Sequence, residues 1–384
     1  MNVPKLRFKE FKDEWQSINL ATVFQYFATN SFSRDQLSES GILKNLHYGD
    51  IHRKYNSIVN ENDEITSYVK DINYNNKYEL LKNNDLIFAD ASEDYEGIGK
   101  AVEVVNVNDK TISGLHTILA RDNLNVFAPM FKGYYFNSSI VHNQLRVLAN
   151  GFKVYGISKD SINKLNIKVP STNEQSKIAN TLYLLDKKIE LQSKKIENLK
   201  LFTKNTISSE LNNLQNYNIF KFKDICNIQT GKSNTQDKCN DGIYPFYIRS
   251  ENIERSNNYI FDCEAVLTIG DGNIGKVFFY ENGKFDCHQR VYVLNNFKNV
   301  LGKYVYYYFS SFFYKRAMSM SAKNTVDSIR MEMISDMIIK VPKEKEQIKM
   351  INLFSSLDKK LGLEQNKLDK LQELKKGLMQ NMFV

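Results

Sequence analysis

The sequence predicts an α+β protein: two strand-rich domains, each followed by a long helix, with the two helices pairing with one another. Three observations support this. Residues 169–200 align without gaps to residues 341–372. The stretches preceding the two copies echo each other more faintly. Within those stretches, short β-branched and aromatic runs are bounded by Gly, Asn and Asp, the pattern of strands and hairpins. At 384 residues the chain is long enough for two cores. The expected division is a first domain over 1–168, the first long helix and connector over 169–210, a second domain over 211–340, and the second long helix over 341–384.

The helices carry the clearest pattern. Identities between the copies include Val169/Val341, Pro170/Pro342, Glu174/Glu346, Gln175/Gln347, Leu185/Leu357, Asp186/Asp358, Leu191/Leu363 and Leu199/Leu371. Ile178, Leu182, Leu185, Ile189, Ile196 and Leu199 follow alternating three-four spacing, and Met350, Phe354, Leu357, Leu361, Leu368 and Leu371 supply the same stripe in the second copy. Two equivalent stripes in one chain are natural partners. Gln192 and Glu364 fall at the same interrupted seam position, a polar placement that fixes register at a cost in stability. Pro170 followed by Ser171, Thr172, Glu174 and Gln175 reads as a helix start with a capping box.

The earlier echoes set Leu86–Asp90 and Gly97–Ala101 beside Val266–Gly270 and Ile274–Val277, Leu115–Thr117 beside Cys287–Gln289, and Gly133–Phe136 beside Lys303–Tyr306.

Composition narrows the function. The longest apolar-aromatic run, Tyr304–Tyr314, has 11 residues and is broken by Ser310 and Ser311, too short to cross a bilayer. The opening residues hold no signal-peptide core, so a cytoplasmic protein without membrane contact is expected. Cys226, Cys239, Cys263 and Cys287 form no CxxC pair and read as reduced structural thiols. The formal charge is +8, yet residues 1–168 hold 20 basic and 20 acidic side chains, so net charge argues only weakly for nucleic acid.

Catalytic motifs fail on inspection. Gly270–Lys276 has GxxxxGK spacing, but the next residue is Val277 rather than Ser or Thr, and Val277–Tyr280 reads as a strand, so a hairpin turn is expected. The five prolines are never adjacent and none precedes Asp, which excludes an Asn-Pro-Pro-Tyr methyltransferase loop and an ordinary PD-(D/E)xK nuclease signature. No metal site and no catalytic residue is expected in this chain.

The remaining chemistry suits DNA contact. His47, Tyr48, His52, Arg53, Lys54 and Tyr55 mix phosphate-directed cations with side chains able to read base edges. In the second half, Lys232, Ser233 and Asn234 form a donor-rich loop. Arg249, Ser250, Glu251 and Asn252 combine types suited to guanine, cytosine and adenine, and His288 and Arg290 complete the set. A scaffold whose helices bind partner helices without reading DNA is the principal alternative.

With these residues assembled, the chain resembles the specificity (S) subunits of type I restriction-modification systems over nearly its whole length. The resemblance rests on Pro4–Phe8 with Phe11 and Trp15, on Tyr48–His52, on Tyr247–Ile253, on the doubled Val-Pro…Glu-Gln…Leu-Asp-Lys-Lys helix start, and on the ending Leu374–Phe383. It implies two target-recognition domains, each reading half of a split asymmetric site in double-stranded DNA, and an antiparallel coiled coil between them. It implies as partners two modification subunits, which use S-adenosylmethionine to methylate adenine, and restriction subunits, which use ATP and magnesium; this chain itself is expected to bind no cofactor. The second domain departs from the pattern, since it begins Phe220-Lys221-Phe222 without a counterpart of Trp15.

Overall fold

The computed structural model describes residues 3–61, 65, 67–70, 78–95, 97–149, 151, 155–320 and 328–384. The chain forms two compact units. One comprises Met1–Ser193 with Lys367–Val384, the other Lys194–Asn366. These limits cut through both long helices, whereas the sequence-based division sets each helix apart. The reason is that each end of each helix packs on one of the domains.

The first unit is built on a five-stranded sheet in the order Phe24–Phe27, Thr117–Asp122, Leu86–Ala89, Ala101–Val105, Ile58–Asn60, antiparallel except for its last pair. The apolar run Leu86–Ala89 is buried on both faces. Leu86 and Phe88 join the core around Trp15 and Tyr135, while Ile87 and Ala89 join a second cluster with Val102 and Leu119. A strand covered on both sides needs no polar alternation, which is why this one reads as continuous hydrophobic sequence. Beside it lies a four-stranded sheet of Thr111–Ser113, Lys44–Leu46, Tyr68–Val69 and Leu37–Ser38.

The second unit has one six-stranded sheet, ordered Asn227–Thr230, Val291–Asn295, Phe261–Ile269, Phe278–Cys287, Tyr244–Tyr247, Ile253–Ser256. Helix Gly302–Ser319 packs on the face that presents Val266 and Leu294, and Ala265, Leu267 and Val293 point to the other. Phe261–Ile269 and Phe278–Cys287 pair antiparallel, so the glycine-rich stretch between them joins the arms of a hairpin, as expected.

In each unit a strand runs directly into a long helix. Ile167–Val169 pairs with Gln16–Ile18 before helix Thr172–Asn212, and Ile338–Pro342 pairs with Tyr217–Lys221 before helix Glu344–Asn381. The helices run antiparallel. In the first unit Lys375 meets Asp186 at 2.5 Å, and in the second Lys195 meets Glu364 at 2.9 Å, so numbering falls on one helix as it rises on the other. Glu364 is therefore a nearly buried carboxylate that meets a lysine of the other helix.

The helix starts dock on their own domains. Ile178 and Leu182 belong to the first core, together with Met382 and Phe383; Met350 and Phe354 belong to the second, together with Leu211. The duplicated Gln and Asp make this docking twice. Gln175 Nε2 donates to Pro170 O at 2.9 Å and its Oε1 accepts from Ala128 N at 2.8 Å; Gln347 Nε2 donates to Pro342 O at 2.9 Å and its Oε1 accepts from Leu301 N at 2.9 Å. Tyr134 donates to Asp186 at 3.0 Å, and Tyr307 to Asp358 at 2.6 Å. Gln175 thus staples helix to domain. Among the described residues, no helix is long and apolar enough to cross a membrane.

Candidate nucleic-acid interface

In the first unit the site forms around helix Tyr48–Arg53. His47 is its N-cap: the buried ring accepts the Gly49 N–H on Nδ1 at 3.1 Å, which leaves the ring proton on Nε2. Burial, with the charge of nearby Arg34, lowers the His47 pKa, so the ring is neutral at ordinary pH. Arg34 grips Asp50 with two nitrogens, at 3.0 and 3.1 Å, and Lys54 approaches the same carboxylate at 3.4 Å. Burial acts to raise the Asp50 pKa, but the bonds and charge of Arg34 and Lys54 outweigh it and hold the carboxyl below its ordinary range. The Tyr48 ring lies 4.7 Å from His47 and 5.3 Å from His116.

The six residues singled out here therefore divide. Arg53 and Lys54 are exposed, Tyr48 and His52 are half-buried, and His47 and Tyr55 are buried. His52 Nε2 lies 2.9 Å from Ala91 O, and Tyr55 packs in the cluster with Ile51 and Val59. Tyr55 is a core residue, with no ring face to offer a base. Arg34 escaped sequence reasoning, since nothing local marks it; His116 was not among the residues singled out, although the echo of Leu115–Thr117 with Cys287–Gln289 sets it opposite His288.

In the second unit three separate stretches converge. The His288 N–H donates to Tyr247 O at 2.9 Å, and the Ser233 N–H to Cys287 O at 3.2 Å, which ties the 232–234 loop and the strand before Arg249 to the 288–290 turn. Ser233 Oγ lies 2.8 and 2.9 Å from the oxygens of buried Asp286, and Gln289 Nε2 donates to Asn234 Oδ1 at 2.9 Å. Lys232, Asn234, Arg249, Glu251, Asn252 and Arg290 are exposed. Ser250 and Asn252 close a turn on each other.

His288 repeats the device seen at His47. It is buried, its Nδ1 accepts the Arg290 N–H at 3.0 Å, and burial together with Arg249 and Arg290 lowers its pKa. Arg249 is held by Asp271 at 3.2 Å, as Arg34 is by Asp50, and each arginine side chain is 50% exposed. Each unit therefore presents an arginine whose fork is oriented by a carboxylate beside a neutral histidine. Such a fork suits phosphate or the Hoogsteen edge of guanine. All four cysteines are free, with burial pushing Cys226 up to about 12, and no metal-holding group of His, Cys, Asp and Glu occurs among the described residues.

Two α+β heads on paired antiparallel helices, with the same histidine–arginine–aspartate arrangement built once in each, define a two-headed class of protein. The chain belongs to the type I restriction-modification specificity subunits: the family model for the type I restriction modification DNA specificity domain matches residues 12–201 and 215–373. It is 25% identical over 157 residues to the type I restriction enzyme EcoDI specificity subunit of Escherichia coli, covering 41% of this chain and 34% of that protein. It is 42% identical over 81 residues to the putative type I specificity subunit S.MpnORF507P of Mycoplasma pneumoniae, covering 20% of this chain and 22% of that one. The matched stretches thus span about a third and about a fifth of these relatives. The fold is that of a type I restriction-modification S subunit from M. genitalium, with a TM-score of 0.62 at 14% identity over 100% of this chain and 99% of that one. A chain from a study of type I R-M complex assembly and conformational transition gives 0.57 at 13% identity over 95% and 96%.

Proposed function

We propose that each head reads one half of a split asymmetric site in double-stranded DNA, and that the helices set the gap and dock two modification subunits. The observation that carries this reading is the doubling of the site: two arginine-centred faces, each on its own strand framework. Phosphate contacts from Arg53, Lys54, Lys232 and Arg290 would set position, and Arg34 and Arg249 would read bases. Docking is supported by apolar residues left uncovered at repeat-related positions: Leu191 and Leu363 are 67% and 53% exposed, and Phe202 and Leu374 are 59% and 52% exposed. Duplicated patches suit two copies of one partner. On this reading the chain is a non-catalytic cytoplasmic subunit. S-adenosylmethionine, ATP and magnesium are used by the modification and restriction subunits.

Replacing residues 221 to 340 with the second domain of another family member tests the reading. The expected outcome, in a complex carrying modification subunits, is methylation at sites with one half changed and the other retained. A change in both halves together would refute separable readout.

A further inference from the structure

In the first unit the start of the long helix is covered by the chain's opening segment. Arg7 Nε and Nη2 reach the two Glu174 oxygens at 2.7 and 2.8 Å, and Glu174 is 1% exposed. The Lys177 ammonium lies 4.6 Å from the Phe8 ring centroid and also meets Glu10. The Leu6 N–H donates to Asn381 O at 2.9 Å, so the segment bridges the start of one helix and the end of the other.

The repeat sets Glu346, Lys349 and Met350 at the positions of Glu174, Lys177 and Ile178; Met350 is buried in the second core as Ile178 is in the first, but among the described residues no segment equivalent to residues 3–14 lies over Glu346 and Lys349, whose side chains stay exposed. The first helix ends at Asn212 and the next strand begins at Tyr217, so only residues 213–216 lie between. They leave an open groove of about 670 Å³ whose lining includes Glu210, Leu214, Glu346, Lys349 and Met350. Glu346 stays 44% exposed, and Lys349 folds back on it at 3.4 Å. The Ser209 carbonyl, which corresponds to that of Asn381, already accepts the Asn213 N–H, so Glu346 is the principal anchor on offer.

We propose that this groove docks a segment of a partner protein in which an arginine is followed by an aromatic residue, the arginine closing on Glu346 and the ring lying against Lys349. The template is the chain's own Arg7 and Phe8, which are committed to the first unit and so are not free to fill the second site. The inference concerns protein docking and stands whether or not the heads read DNA as proposed.

The probe is a fluorescent peptide with the sequence of residues 3–14, titrated into the full chain and followed by anisotropy. The expected result is saturable one-to-one binding, weakened about tenfold or more by Glu346→Gln, since a charge-assisted pair is lost. Alanine in place of the peptide's arginine should weaken it similarly, and that arm needs no variant of the chain. Absence of saturation at millimolar peptide would overturn the proposal. So would binding indifferent to both changes, which would place the peptide elsewhere.

Discussion

A histidine that accepts a backbone N–H two residues ahead is a cap first and a contact second, and both His47 and His288 are of this kind. Burial and neighbouring arginines hold both rings below the ordinary value of about 6.5. As pH falls through about 6.5 the unfolded chain takes up protons that the folded chain refuses, so their contribution to stability is complete above that pH and is lost below it. His47→Asn keeps a good N-cap and removes the titration. Denaturant melts at neutral and acid pH should show stability within about 1 kcal/mol of the parent at neutral pH and a smaller loss in acid. Gln347 offers a second test at this scale. Gln347→Ala leaves the half-buried Leu301 N–H and the buried Pro342 carbonyl without this partner, at a cost of about 1–3 kcal/mol, measurable as a lower urea midpoint. That Gln175 and Gln347 matter was legible in the sequence from their duplication. What they do was not, because Ala128 and Leu301 are far away along the chain and no local pattern points to them.

At the scale of the element, heptad spacing identified both long helices and their apolar stripes but not what covers each residue. Ile178, Leu182, Met350 and Phe354 lie on the stripe, yet they also belong to the domain cores, and only the three-dimensional placement of Tyr134 and Tyr307 decides that. Farther along, Leu185 is buried and Leu357 half-buried. The double change Leu185→Asp with Leu357→Asp puts carboxylates into this apolar surface, where an unpaired charge is costly. Helix pairing, measured by thermal melting and by co-purification with modification subunits, should weaken in both assays. Unchanged melting and assembly would remove these leucines from the seam. The hairpin around Gly270–Lys276 was legible for a simpler reason: an apolar, aromatic run after the glycines leaves no helix start to cradle a phosphate.

At the scale of the whole molecule, the repeat revealed two domains but hid their differences. The first carries an additional four-stranded sheet whose strands, such as Leu37–Ser38 and Tyr68–Val69, are too short to announce themselves. If the helices set the gap between half-sites, one matched heptad added to each should lengthen them by about 10 Å at ~1.5 Å per residue, which is roughly three base pairs at ~3.4 Å each. Selection from a library of gap lengths should then recover the same half-sites farther apart, and recovery of the original gap at full affinity would exclude the spacer role. Closure of the first core by Met382 and Phe383, beside Phe131 and Tyr135, also bears on how the protein is made. A ribosome releases Trp15 and Tyr135 long before Phe383, whereas the second unit is drawn from the single stretch Lys194–Asn366. The head synthesised first is thus the last to close, and until the final turn of the second helix arrives its apolar floor stays uncovered, the state in which a nascent chain depends most on chaperones.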